Sequence, residues 1–202
     1  MVENKESLQK TDEELVALTL RSQDYYSCLV SRYEAKIMRY IMRISSFSKE
    51  DAEDILQEVF IKVYKNLNDF DQGLKFSSWI YRIAHNEVIS HYRRMKARPI
   101  LITTDADEWL KTMASSDDLE KELERKFTAE EIKNILSKMD MKYKEVLVLR
   151  FLEEKDYQEI SDILKKPMGT VATLINRAKK QFKDESLNGG TGNLNLNYER
   201  KI

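Results

Sequence analysis

Apolar residues recur at intervals of three and four over most of the chain, the spacing that gathers them on one side of an α-helix. Leu15, Val16 and Leu18 begin the series in DEELVALTLRS, which Thr11 and Glu14 open with a capping-box pattern. A longer stretch, YYSCLVSRYEAKIMRYIMRI, carries Leu29, Val30, Tyr33, Ile37, Tyr40, Ile41 and Ile44. Ser45 to Ser48 reads as a connection, and Ser48 suits the N-cap of a helix starting at Lys49. In that helix Ile55, Leu56, Val59, Phe60, Val63 and Leu67 form the buried stripe. The polar run NLNDFDQGLK, Asn66 to Lys75, predicts a loop. Phe76, Trp79, Ile80 and Ile83 mark a fourth helix, and their spacing favours a core role over ring stacking at the surface. Tyr92, near its end, is expected to be exposed.

Pro99 stops the fourth helix, and ILITTDADEWLKTMASSDD shows no sustained helical face. This stretch reads as a linker with a short helix around Asp107–Met113. A second helical unit starts at Thr128. In it Tyr157, Ile160, Ile163 and Leu164 mark a short helix that stops near Lys165, Lys166 and Pro167, and Gly169 follows the turn. Thr170 to Phe182 forms the next helix, with Val171, Ile175, Ala178 and Phe182 in one stripe. The polar ending LNGGTGNLNLNYERKI is expected to be mobile. The expected fold is therefore all-α, with two small helical domains over residues 1–98 and 127–186. A flexible acidic linker over 99–126 joins them, and a mobile tail occupies 187–202. With only five Gly and two Pro in 202 residues, long helices are favoured over many short strands.

The formal net charge of -1 conceals segregation that changes the picture. The third helix opens with Asp51, Glu53, Asp54 and Glu58, which suit the positive end of a helix dipole and leave an acidic side uncovered. The fourth reverses the sign, with Lys75, Arg82, Arg93, Arg94, Lys96 and Arg98 against the single acid Glu87. A second basic zone holds Lys165, Lys166, Arg177, Lys179, Lys180 and Lys183. Between them Asp105, Asp107, Glu108, Asp117, Asp118, Glu120, Glu122, Glu124, Glu130 and Glu131 form an acidic bridge. Basic zones with aromatic residues between them suit phosphates and unpaired bases.

The same composition excludes several functions. No apolar run approaches the ~20 residues needed to span a bilayer, and Met1 to Lys10 is too polar for a signal peptide, so no membrane insertion and a cytoplasmic location are expected. Cys28 is alone, which rules out an internal disulfide. His85 and His91 stand six apart without cysteine support, so neither metal nor cofactor is expected. No nucleophile, base or phosphate-loop arrangement points to an enzyme.

The consecutive segments DAEDILQEVFIKVYKNL and FSSWIYRIAHNEVISHYRR resemble region two of the extracytoplasmic-function (ECF) sigma factors, in the sigma-seventy family of RNA polymerase subunits. Met139 to Lys183 is similar to the same family's region four. The resemblance implies a sigma factor that binds core RNA polymerase, recognises promoter DNA and promotes its melting. It implies contacts from Asp51, Asp54, Gln57 and Glu58 to the β′ clamp helices, with the β flap as a further polymerase partner. The minus-ten element falls to Asn68, Asp69, Phe70, Asp71, Lys75, Arg82, Asn86, Arg93 and Arg94. The minus-thirty-five element falls to Thr170, Thr173, Asn176, Arg177 and Lys180. An anti-sigma factor is a further partner that the family allows. The chain departs from the family's habit at His85 and Ser90, and at Ala172 and Leu174, where close relatives often carry cations. Weaker reading of the minus-thirty-five element, or help from another protein, would follow.

Residues alone leave two other readings open. One is a helix-turn-helix regulator that never joins polymerase, and the other is a helical adaptor whose basic zones are merely solvated. The acidic linker likewise fits either plain solubility or mimicry of nucleic acid in a positive cleft.

Overall fold

Capping residues start the helices where the sequence places them. The computed structural model describes residues 9–71, 73–97 and 128–188. The expected linker at 99–126, its helix around Asp107–Met113 and the tail from 189 onward lie outside the described residues. Helix α1, Asp12–Arg21, is opened by a reciprocal box in which Thr11 N donates to Glu14 Oε2 at 2.7 Å and Glu14 N donates to Thr11 Oγ1 at 3.2 Å. A 3-10 turn, Gln23–Tyr25, leads into α2, Tyr26–Ile44. Ser48 caps α3, Lys49–Lys65, by accepting from Asp51 N at 3.1 Å. A second 3-10 turn, Leu67–Asp69, precedes α4, Phe76–Ala97. Leu15, Leu29, Ile37, Tyr40, Ile41, Ile44, Phe76 and Ile80 are fully buried and fill the space between these four helices.

The second unit repeats the capping logic. Thr128 and Glu131 form a box at the start of α5, Ala129–Lys138. Glu130 and Glu131, the last two acids of the run between the basic zones, stand in the first turn of this helix, within the unit expected to start at Thr128. Helix α6, Met141–Leu147, widens into a π turn over Val148–Leu152, which periodicity did not foretell. Helices α7, Tyr157–Leu164, and α8, Met168–Asn188, complete the unit around Leu149, Ile160, Ile163 and Ile175.

Three expectations change in detail. Helix α8 runs longer than Thr170–Phe182 because the Pro167 carbonyl accepts from Thr170 N at 2.8 Å and Val171 N at 3.0 Å, which draws Met168 and Gly169 into its first turn. Tyr92 is half-buried rather than exposed, since Phe47 from the α2–α3 connection covers it at a ring separation of 4.5 Å. Trp79 and Ile83 are partly buried at the edge of the core, unlike Phe76 and Ile80 inside it.

Candidate nucleic-acid interface

Helix α3 separates its two faces cleanly. Ala52, Ile55, Val59 and Val63 are buried, while Asp54, Gln57 and Glu58 stand exposed along the opposite side. Asp51 shares that side but is partly engaged, accepting from Ser48 Oγ at 2.9 Å and lying 3.6 Å from His91 Nε2. Three of the four residues expected to meet polymerase are thus free, and the fourth also holds the helix start in place.

The loop after α3 divides into exposed and inward-turned groups. Asn68 and Asp69 are exposed in the 3-10 turn. Asp71, also exposed, folds the chain by accepting from Gly73 N at 2.9 Å. Phe70, expected among the DNA-facing groups, instead points into the core, 5.6 Å from Phe76 and 5.3 Å from Trp79 between ring centroids. Its large ring has more to gain from that apolar cluster than from the loop surface. On α4, Asn86, Arg93 and Arg94 are exposed; Lys75, just before the helix, is exposed too and lies 3.5 Å from Asp156 and 3.7 Å from Glu159. Arg82 is half-buried, with Nε and Nη2 out of water and without a hydrogen-bond partner.

In the second unit α7 and α8 form the helix-turn-helix. Asp156 caps α7 by accepting from Glu159 N at 2.7 Å, and Lys165 ends it in the left-handed region at φ 53, ψ 43. The Ser161 hydroxyl donates to the Lys166 carbonyl at 2.6 Å and holds the turn. Val171, Ile175, Ala178 and Phe182 bury the back of α8, and Thr170, Thr173, Asn176, Arg177 and Lys180 are all exposed. Leu174 packs against the core, so it takes no place on the groove side, and Ala172 alone stands where a cation is missing.

Neither periodicity nor motif pointed to the contacts that join the two units. Arg43 of α2 donates through Nη1 to the Leu152 carbonyl at 3.0 Å and to Glu153 Oε1 at 2.9 Å. Tyr81 of α4 donates to Glu153 Oε2 at 2.6 Å, and Lys155 lies over the Tyr81 ring. Burial pushes the Glu153 carboxyl up, with the Arg43 guanidinium working against that shift. Close by, Glu145 faces Lys166 Nζ at 3.4 Å and His85 Nε2 at 3.8 Å. Burial lowers His85 to about 4, so at neutral pH this second contact is not an ion pair. Residues of opposite sign at positions 43 and 153 were visible in the sequence, but nothing local marks them as partners.

Among the described residues, no helix is long and apolar enough to cross a membrane. The family model for sigma-70 region 2 matches residues 29–98, and that for sigma-70 region 4 matches 129–182. The chain is 34% identical over 171 residues to the ECF RNA polymerase sigma factor SigW of Bacillus subtilis, covering 81% of this chain and 89% of that protein. It is 30% identical over 188 residues to the ECF RNA polymerase sigma-E factor of Haemophilus influenzae, covering 88% of this chain and 96% of that one. The fold is shared with CnrH, solved with the cytosolic domain of CnrY, at a TM-score of 0.64 and 23% identity over 91% of this chain and all of that one. It is also shared with RpoE of Bartonella quintana, solved with the anti-sigma factor NepR, at a TM-score of 0.59 and 17% identity over 79% and 95% of the two chains. Two region matches in the family's order, and relatives aligned along nearly their whole length, place the chain in the ECF group of sigma-70 family sigma factors, which bind RNA polymerase and promoter DNA to initiate transcription.

Proposed function

We propose a division of labour among the exposed surfaces of this sigma factor. The row Asp54, Gln57 and Glu58 on α3, with Asp51 at its start, docks on the polymerase clamp helices. The loop from Asn66 to Lys75 receives a base of the melting minus-ten element, with Asn68, Asp69 and Asp71 offering groups to its pairing edge and Phe70 supporting the loop from beneath. Arg82, Arg93, Arg94 and Lys75 hold the phosphates on either side, and Asn86 stands beside them. Helix α8 enters the major groove of the minus-thirty-five element through Thr173, Asn176 and Arg177, with Thr170 and Lys180 on the backbone. The protein works in the cytoplasm without catalysis of its own, over domains 1–98 and 127–186, and the acidic linker 99–126 lies in a positive channel of polymerase. An anti-sigma factor would hold it inactive.

One observation carries this reading. Asp54, Gln57 and Glu58 on α3, and Thr170, Thr173, Asn176, Arg177 and Lys180 on α8, stand exposed on the sides opposite the stripes that each helix buries. Reconstituted transcription with core polymerase on a randomised promoter library tests it. The selected promoters should share two elements at fixed spacing, and charge reversal on α3 should abolish transcription without changing which sequences bind. Selection of only one element, or none, would refute the division.

A further inference from the structure

The front of α8 changes character along its length. Gly169, Ala172 and Thr173 occupy its first turns, and Asn176 and Lys180 follow on the same side by helical spacing. Gly169, Thr173, Asn176 and Lys180 are exposed, and Ala172 is half-buried. The Thr173 hydroxyl donates to the Gly169 carbonyl at 2.9 Å. Its proton is committed to the helix, so Thr173 cannot donate to a base, and it offers a partner its methyl beside an oxygen that can only accept. A Cβ built at Gly169 would meet nothing within 4 Å, so the fold itself does not demand glycine there. Glycine inside a helix costs roughly 0.5–1 kcal/mol against alanine, and its use here lets a partner come closer than any side chain would permit.

Resting on the reading of α8 as the promoter helix, we propose that Thr173 and Ala172 are specificity-determining residues that read thymine C5-methyl groups in the major groove. Asn176, one turn on, takes the edge of an adenine. Recognition helices read bases chiefly with their N-terminal residues, which is where these methyls lie. Thymine is the base that shows a methyl in the major groove, whereas guanine is read through O6 and N7 by arginine or lysine. No cation occupies the first two turns of this front, and Arg177 and Lys180 enter only further along. The helix is thus built for T·A pairs near its start. The residue at 172, smaller than the cation often found there, becomes a reader rather than a loss.

The test uses holoenzyme made from the full chain and core polymerase, on the strongest promoter of a randomised selection. Each thymine of the upstream element is replaced singly by deoxyuridine, which keeps base pairing and removes only the methyl. One or two positions should lose about four-fold in affinity, the value of one buried methyl-sized group. Thr173→Ser should bind the thymine promoter more weakly and be indifferent to deoxyuridine at one of those positions. Unchanged thermal melting of Thr173→Ser verifies that it folds. If deoxyuridine has no effect at any position while Arg177→Ala still weakens binding, methyl reading is wrong and the promoter helix stands. Methyl reading is equally wrong if Thr173→Ser and Ala172→Gly both keep the wild-type sensitivity. If neither deoxyuridine nor Arg177→Ala alters binding, the assignment of α8 falls as well.

Discussion

His85 carries the clearest pH consequence at the scale of single residues. It is buried between Tyr40, whose hydroxyl lies 3.4 Å from Nδ1, and Glu145 at 3.8 Å, with Lys166 adding repulsion towards a proton. Its pKa falls from 6.5 to about 4, so the unfolded chain takes up a proton in that interval while the folded chain does not. Stability contributed by neutral His85 is complete above about pH 6.5 and is lost as pH falls towards 4. Glu145 and Glu153 pull the other way, because burial raises both and the folded state gains from protonating them first. His85→Gln should therefore flatten the acid limb of the stability curve, by up to about 3 kcal/mol at the low end. Urea unfolding of both proteins at pH 7 and pH 5 measures this, and parallel losses in the two would show that His85 contributes nothing. On α8, Arg177→Ala should cost about 1–3 kcal/mol of binding to the upstream element if it meets a base, read as a lost footprint there. Arg93→Ala with Arg94→Ala should instead lower affinity near the melted region and reduce its salt dependence. Identical footprint losses from the two variants would contradict separate sites.

At the scale of elements, α3 and the loop after it separate polymerase affinity from promoter choice. Asp54 and Glu58 are exposed, so reversing both to Lys should leave helicity intact and weaken core binding by about ten-fold or more. A pull-down that recovers polymerase equally well with this variant would remove α3 from the interface. Exchanging the Asn66 to Lys75 loop for that of another ECF protein should move the preferred minus-ten sequence while core affinity stays the same. Discrimination of ~1–3 kcal/mol per base pair is the scale to look for in a library selection. These elements were legible in the sequence for a physical reason. Caps such as Thr11, Ser48 and Thr128 act within one turn, and the stripes of α2, α3 and α8 repeat at the helical period, so both are local signals. What stayed illegible is long-range. Phe70 looked like a loop residue until the cluster of Phe76 and Trp79 received it. Leu174 looked like a lost contact until the fold turned it to the core. The π turn at Val148–Leu152 has no periodic signature of its own.

The whole molecule adds a constraint that no single element shows, namely that the two units pack in a way that engages Lys75, one of the expected promoter-facing cations. Lys75 is paired with Asp156 and Glu159, the two residues that cap α7, and Arg82 has Nε and Nη2 buried without partners. Carboxylates at the start of α7 thus occupy the place at Lys75 that phosphates would take. For Lys75 to give its charge to DNA these pairs have to open, whereas Arg82 keeps unpaired donors that a phosphate could use. The Arg43–Glu153 pair opposes opening. Its side chains are only 3% and 4% exposed, and Tyr81 and the Leu152 carbonyl add hydrogen bonds to it, while the Arg43 Nε stays buried without a partner. Removing one partner of such a pair strands a buried charge at a cost of ~3–5 kcal/mol, whereas replacing both by apolar groups of similar size is often neutral. Arg43→Ala should therefore separate the units, and the double variant Arg43→Met with Glu153→Leu should keep them together. Fluorescence transfer between dyes on exposed Glu34 of α2 and exposed Lys183 of α8 reads the separation. Transfer should fall in Arg43→Ala and persist in the double variant, and affinity of the free chain for a melted promoter strand should rise only in the first. If Arg43→Ala leaves transfer and strand affinity as they were, the pair does not hold the units closed, and the cation at 75 reaches DNA by a route that needs no opening.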